Sequence, residues 1–183
     1  MERVSHKPKS KPASGSPAGA TSRRNLGALA AVGGAVAVID QATKALMLSI
    51  LEPGVPLPVL GDWFRFYLLF NPGAAFSMGG ESSTWLFTTI QLLFVLGAAV
   101  AVPHLRDRGQ VVGLALIAGG ALGNLIDRLF REPGFWFGHV VDFISVGSFA
   151  VFNVADAAIT CGVVVFIVFM FLEERRGRGQ GES

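Results

Sequence analysis

Three aspartates and two asparagines stand where an apolar chain has least use for them. The stretch from Gly119 to Asp156 is an apolar segment closing on Asn124-Leu125-Ile126-Asp127-Arg128, a connection carrying Asp142, and a second apolar segment opened by Asn153-Val154-Ala155-Asp156. An Asp at the centre of a membrane helix costs about 2.5–3.5 kcal/mol on insertion scales, so acids in such places mark a functional site by default. Two carboxylates held close cannot both ionise easily. They share a proton, one acting as general base on a water and the other as general acid to the leaving group. That is aspartic protease chemistry, and its titration belongs to the pair rather than to either residue. Residue types alone leave open which of Asp127, Asp142 and Asp156 form the pair. Other chemistries find less support. His6, His104 and His139 are scattered, no Ser-His or Cys-His arrangement is recognisable, and no metal or other cofactor is expected. The single cysteine, Cys161, lies in an apolar run and excludes an internal disulfide framework.

The elements that must position these residues follow from composition. Of 183 residues, 51% are hydrophobic and 15% charged, against roughly 25% charged in soluble domains. The chain therefore reads as a membrane protein. Its net charge of +2 and pI near 9.0 come from tails and one short loop, so topology explains them and nucleic acid is not expected as a partner.

Residues 1–25 are rich in Ser, Pro, Lys, Gly and Ala without apolar periodicity, and are expected to form a disordered basic tail. Leu26 to Ile39 after Arg23-Arg24 resembles a signal-peptide core. Apolar character resumes beyond Asp40-Gln41-Ala42-Thr43-Lys44, however, and no small-residue cleavage signal ends the segment, so a first membrane helix over 26–51 is preferred. Asp40 and Lys44 are four apart on one helical face and can neutralise each other. Pro53, Pro56 and Pro58 break any continuation. In the first connection the aromatic run Phe64–Phe70 favours a strand and Asn71-Pro72-Gly73 a turn, with Trp63 and Phe76 suited to the membrane interface. Further helices are expected over about 84–102, 110–129 and 149–172, completing a membrane domain over 26–172, with a polar tail at 173–183. The fold class is thus an all-α membrane protein of four transmembrane helices, with a small extracytoplasmic β element in the first outer loop.

Charge sets the expected orientation. The tails and the 104–109 loop hold eleven Lys and Arg, the opposite side only Arg65, Arg128 and Arg131, which places both termini in the cytoplasm. At 1.5 Å per residue Asp40, Asp127 and Asp156 lie about 21, 26 and 24 Å from the inner ends of their helices. All fall in the outer part of a hydrocarbon core about 30 Å thick. Gly120, Asn124 and Asp127 share one face of the third helix, Asn153 and Asp156 are three apart on the fourth, and Gly119 and Gly123 permit close helix approach. One polar cluster near the outer surface is expected. For Asn124 and Asn153, packing glue between helices is an equal reading.

Five blocks carry a resemblance: Asp40-Gln41-Ala42-Thr43-Lys44, Phe70-Asn71-Pro72-Gly73-Ala74-Ala75-Phe76, Gly119 to Arg128, Val140-Val141-Asp142-Phe143, and Phe152-Asn153-Val154-Ala155-Asp156. In this order, over roughly residues 36–160, the chain resembles the lipoprotein signal peptidases (signal peptidase II). The resemblance implies a four-helix aspartic endopeptidase of the bacterial inner membrane. Such an enzyme cleaves prolipoproteins just before a cysteine that carries a diacylglyceryl group, in contact with membrane lipids; a monomer is expected here, though the sequence itself does not fix the oligomeric state. It assigns Asp142 and Asp156 as the catalytic pair, with Asp127, the tempting rival to Asp142, and Arg128 as supports. Asn124 and Asn153 match positions that orient the aspartates or substrate; Asp40, Lys44 and Asn71 match polar positions around the pocket. Residues 61–78 look like the family's small extracytoplasmic sheet. The Asp142–Asp156 segment is shorter than in many members, which implies a reduced flap, and the basic tail lies outside the pattern.

Rival functions make different demands. An ion-coupled transporter would distribute polar residues through the full membrane depth, whereas the inner halves of helices two to four offer almost none. A metal-dependent lipid transferase would place its aspartates on the cytoplasmic side, contrary to the charge count. A purely structural assembly protein is least favoured.

Overall fold

The structure, a computed structural model, describes residues 17–73 and 83–181. Four of its helices are long and apolar enough to cross a membrane: Gly19–Ile50, Thr84–His104, Arg108–Phe130 and Val154–Arg176. The first span joins α1 (Pro17–Ala28) to α2 (Gly34–Ile50) through a π-helical segment, Leu29–Gly33, without a break in direction of winding. The others are α3 (Thr84–Ala101), α4 (Arg108–Phe130) and α5 (Val154–Gly181).

Helix α4 is the axis of the bundle: most of it is buried, whereas less than a fifth of each other span is. Its glycines make this possible. A methyl group on Gly119 would fall 2.7 Å from Gly33 O, so α4 and the π segment touch backbone to backbone. Asp107 caps α4, accepting from Gly109 N at 2.7 Å and Gln110 N at 3.2 Å, and satisfies donors that would otherwise be orphaned at the membrane rim.

Across one end of the bundle lies a three-stranded antiparallel sheet in the order β1 (Leu57–Leu60), β2 (Phe64–Asn71), β3 (Val140–Val146). Leu68 of β2 and Val141 and Phe143 of β3 pack on Met47 and Leu51 at the end of the first span, which fastens sheet to bundle. The expected strand over 64–70 is present. Its partner β3 comes from the second connection, beyond the first-loop element that the sequence suggested. In register, Leu69 of β2 stands opposite Asp142. Asn71 Oδ1 accepts from Gly73 N at 2.8 Å, and Gly73 has φ +102°, as a turn at Asn71-Pro72-Gly73 requires. Phe76, with the rest of 74–78, lies outside the described residues.

Three expected boundaries need correction. Within the 1–25 tail, residues 17–25 are helical, because Asn25 is buried and its amide donates to Val102 O and Leu105 O at the end of α3. The fourth helix starts at Val154 rather than Phe149, because Phe152 is extended and exchanges backbone hydrogen bonds with Ile144. It also runs past Leu172 to Gly181, where Glu174 and Arg178 form an i,i+4 pair at 2.5 Å.

Candidate active site

The polar residues of α2, α4, β3 and the start of α5 meet beneath the sheet, and they divide into two groups by partner. In the first, Lys44 Nζ donates to Asp40 Oδ2 at 2.8 Å, Asp127 Oδ2 at 2.7 Å and Asn124 Oδ1 at 2.9 Å, using all three of its protons. Asp40, Lys44 and Asp127 are fully buried. The remaining Asp127 acceptor sites take Arg131 Nε at 2.5 Å, Gln41 Nε2 at 3.0 Å and Val141 N at 3.1 Å. Asp40 Oδ1 takes Ala155 N at 2.9 Å. Two acids are thus balanced by two bases, and every charged oxygen has a donor, the condition for holding charge away from water. Gly123 makes room for this group: a methyl there would lie 2.6 Å from Asp40 Oδ2.

The second group contains Asp142 and Asp156, and here the partners are amides. Asp142 accepts from Asn71 Nδ2 at 2.9 Å and Asn153 Nδ2 at 2.6 Å. Asp156 accepts from Asn124 Nδ2 at 2.8 Å and the backbone N of Asn153 at 3.2 Å. Neither carboxylate has an ion pair among the described residues. Asn153 joins them. It is the residue before α5, not a member of it: its Oδ1 accepts from Asp156 N at 3.0 Å while Asp156 reaches back to Asn153 N. This reciprocal capping box starts the helix and aims both side chains.

The amide orientations are fixed by the ionic group. Asn124 Oδ1 accepts from Lys44 and from Asn153 Nδ2 at 3.1 Å, so its NH₂ must face Asp156. Asn153 Oδ1 is taken by the Asp156 N–H, so its NH₂ faces Asp142. Lys44 thereby acts on both carboxylates through hydrogen bonds without touching either. Burial pushes the Asp142 carboxyl up to about 7, and the Asp156 charge pushes the same way. The hydrogen bonds from Asn71 and Asn153 and the Lys44 ammonium oppose them.

Arg128, expected among the supports, makes no ion pair with either group among the described residues, but its charge acts on Asp142, Asp127 and Asp156 from nearby. It is buried, stacks 5.7 Å from the centroid of Phe87 and donates to Gly138 O at 3.5 Å. Residues that sequence reasoning did not single out for the site are Gln41 and Arg131. For Arg131 the signal was present, since it follows Asp127 by four residues; nothing about Gln41 distinguished it except its place between Asp40 and Lys44. Among the described residues no three His, Cys, Asp or Glu side chains converge as a metal site would require.

The family model described as Signal peptidase (SPase) II matches residues 32–172. The chain belongs to the signal peptidase II family. A lipoprotein signal peptidase of Rhodococcus jostii is 45% identical over 141 residues, covering 77% of this chain and 71% of the relative. One of Streptomyces coelicolor is 41% identical over 149 residues, covering 81% and 72%. A solved structure described as a bacterial membrane enzyme superposes with a TM-score of 0.70 at 26% identity, covering 81% of this chain and 90% of that one. Another so described gives 0.66 at 27% identity, covering 79% and 92%. The chain is accordingly a multi-pass membrane enzyme, and for a signal peptidase II the surroundings of Asp156 are informative. A cavity of about 500 Å³ opens beside it, walled by Phe149, Val151, Phe152, Ala157, Thr160 and Cys161.

Proposed function

We propose that this chain removes signal peptides from prolipoproteins, cutting on the N-terminal side of a diacylglyceryl-modified cysteine, with Asp142 and Asp156 as the catalytic pair. The observation that carries this reading is the division among the clustered aspartates. Asp40 and Asp127 are neutralised by cations and saturated with donors, whereas Asp142 and Asp156 are held by neutral amides around one shared residue, Asn153. Only the second pair is free to pass a proton.

Asp142, whose carboxyl is pushed up to about 7, carries the shared proton, and Asp156 serves as the base. Asp156 takes a proton from water as the water oxygen attacks the scissile carbonyl carbon, while Asp142 donates its proton to the carbonyl oxygen. The resulting gem-diol collapses: Asp156 gives its proton to the departing amide nitrogen and Asp142 recovers one from a diol hydroxyl. Atoms and charge balance without a cofactor. The apolar cavity beside Asp156 suits lipid or signal-peptide side chains. Asn71, Asn124 and Asn153 orient the pair; Asp40, Lys44, Asp127 and Arg128 support it.

In this reading the protein is a monomer of the bacterial inner membrane with both termini cytoplasmic and the sheet outside, in keeping with the distribution of Lys and Arg. A transporter would need a polar path through the bundle. Among the described residues the buried charges lie instead at the sheet end, and the polar side chains buried at the other end are those of Asn25 and Gln110. The test is a gel-shift assay with the purified chain in detergent, using one prolipoprotein with and without the diacylglyceryl group. Cleavage of the modified form, unaffected by EDTA, is expected. Absence of cleavage, or its loss in EDTA, would overturn the reading.

A further inference from the structure

The end of the bundle opposite the sheet holds a charged feature that peptide cleavage does not use. Arg24 of α1 and Arg108, the first residue of α4, line one cavity of about 270 Å³, whose other walls are Asn25, Ala28, Val111 and Val112. The cavity is anchored. Asn25 is buried, and its amide donates to Val102 O at 3.3 Å and Leu105 O at 2.9 Å, which fixes the rotation of α1 beside the end of α3.

Among the described residues, every acid at this end is engaged elsewhere. Asp107 caps α4 and has Arg176 at 3.9 Å; Glu173 accepts from Gln110 Nε2 at 2.6 Å; Glu174 pairs with Arg178. Arg24 and Arg108 have no ion-pair partner among the described residues. Topology needs only that basic residues lie on this side of the membrane. It does not need two of them to share one cavity above an apolar floor, with neither paired to an acid among the described residues.

We propose that this cavity binds the phosphate headgroup of an anionic phospholipid, gripped by the two guanidiniums, with its chains descending over Ala28 and Val112. Guanidinium forks match phosphate oxygens bidentately, and basic pockets between membrane helices on the cytoplasmic side select anionic headgroups. Assigning the lipid to the inner leaflet rests on the cytoplasmic placement of the termini proposed above. Binding itself does not depend on that placement or on peptidase activity.

The test is native mass spectrometry of the full chain released from micelles containing phosphatidylglycerol and phosphatidylethanolamine of equal chain length. Wild type should retain phosphatidylglycerol preferentially. Arg24→Gln and Arg108→Gln should each weaken that preference about fivefold, and together about 25-fold. Arg23→Gln with Arg175→Gln, basic residues of the same end outside the cavity, should change it less than about twofold. All variants should keep wild-type prolipoprotein cleavage, which shows that they fold and keeps this result separate from the catalytic one. The proposal is overturned if the cavity variants retain the preference, if the control pair loses as much, or if millimolar inorganic phosphate displaces the lipid, since a free-phosphate site would explain that last result.

Discussion

The two ends of the bundle use charge in opposite ways. At the sheet end Asp40, Lys44 and Asp127 are fully buried, and each polar atom is committed to a named partner. At the tail end the ion pairs are loose or exposed: Arg176 stands 3.9 Å from Asp107, and Arg178 and Glu174 are 79% and 52% exposed. Exposed pairs contribute about 0–1 kcal/mol. Removing one partner of a buried pair costs about 3–5 kcal/mol, because the other charge is stranded. In the proposed reading the charges at the tail end set which way the chain sits, those at the sheet end hold a site together, and only the carboxylates without a cation partner are left for chemistry.

Substitutions at each end can break or sharpen this contrast. Lys44→Met should have the largest effect on folding. It strands Asp40 and Asp127 and frees the Asn124 amide to turn, so a loss of about 3–5 kcal/mol is expected, read as collapse of the folded fraction in size-exclusion chromatography. An unchanged Tm would show that the ionic group is dispensable. Asn153→Ala should fold less stably by about 1 kcal/mol, the usual worth of a helix cap. It should also lose about 100-fold in cleavage rate, since Asp142 loses the Asn153 amide that donates to it and the Asp156 backbone N–H loses its cap.

A smaller and graded effect is expected from pH. With Asp142 pushed up to about 7, the pair keeps its shared proton below that value and loses it above. The rate should therefore fall as pH rises through about 7, approaching tenfold per unit, because the doubly ionised pair has no acid to offer the carbonyl oxygen. A flat profile from pH 6 to 9 would contradict the assignment of Asp142 as the proton carrier. At the other end, Arg178→Ala should leave both Tm and rate unchanged within error, given its exposure. A clear loss there would erase the distinction between the ends.

Much of this arrangement was legible before any coordinates. The Asp40–Lys44 pair follows from i,i+4 spacing, and the convergence of Asn124, Asp127 and Asp156 follows from helix rise and the direction of each span. The third strand was not legible. Val140–Val146 is mostly buried and apolar, without the alternation of a half-exposed strand, and its pairing with β2 joins residues about 70 to 80 apart in sequence. The role of Asn153 was hidden for a related reason. Asn153 and Asp156 fit a helical face as well as a capping box, and only the pairing of Phe152 with Ile144 decides that the helix begins after Asn153. Gln41 and Arg131 completed the ionic group without advertising it, because their value lies in satisfying Asp127 rather than in any pattern of their own.

The division of the aspartates can be tested most directly by measuring initial cleavage rates of a diacylglyceryl-modified prolipoprotein for Asp127→Asn, Asp142→Asn and Asp156→Asn side by side, each normalised to folded protein. Asp142→Asn and Asp156→Asn should fold and lose about 1,000-fold or more in rate, whereas Asp127→Asn should give less folded protein that still cuts. A dead Asp127→Asn beside an active Asp142→Asn would place the catalytic pair across α4 and α5 and contradict the division drawn here.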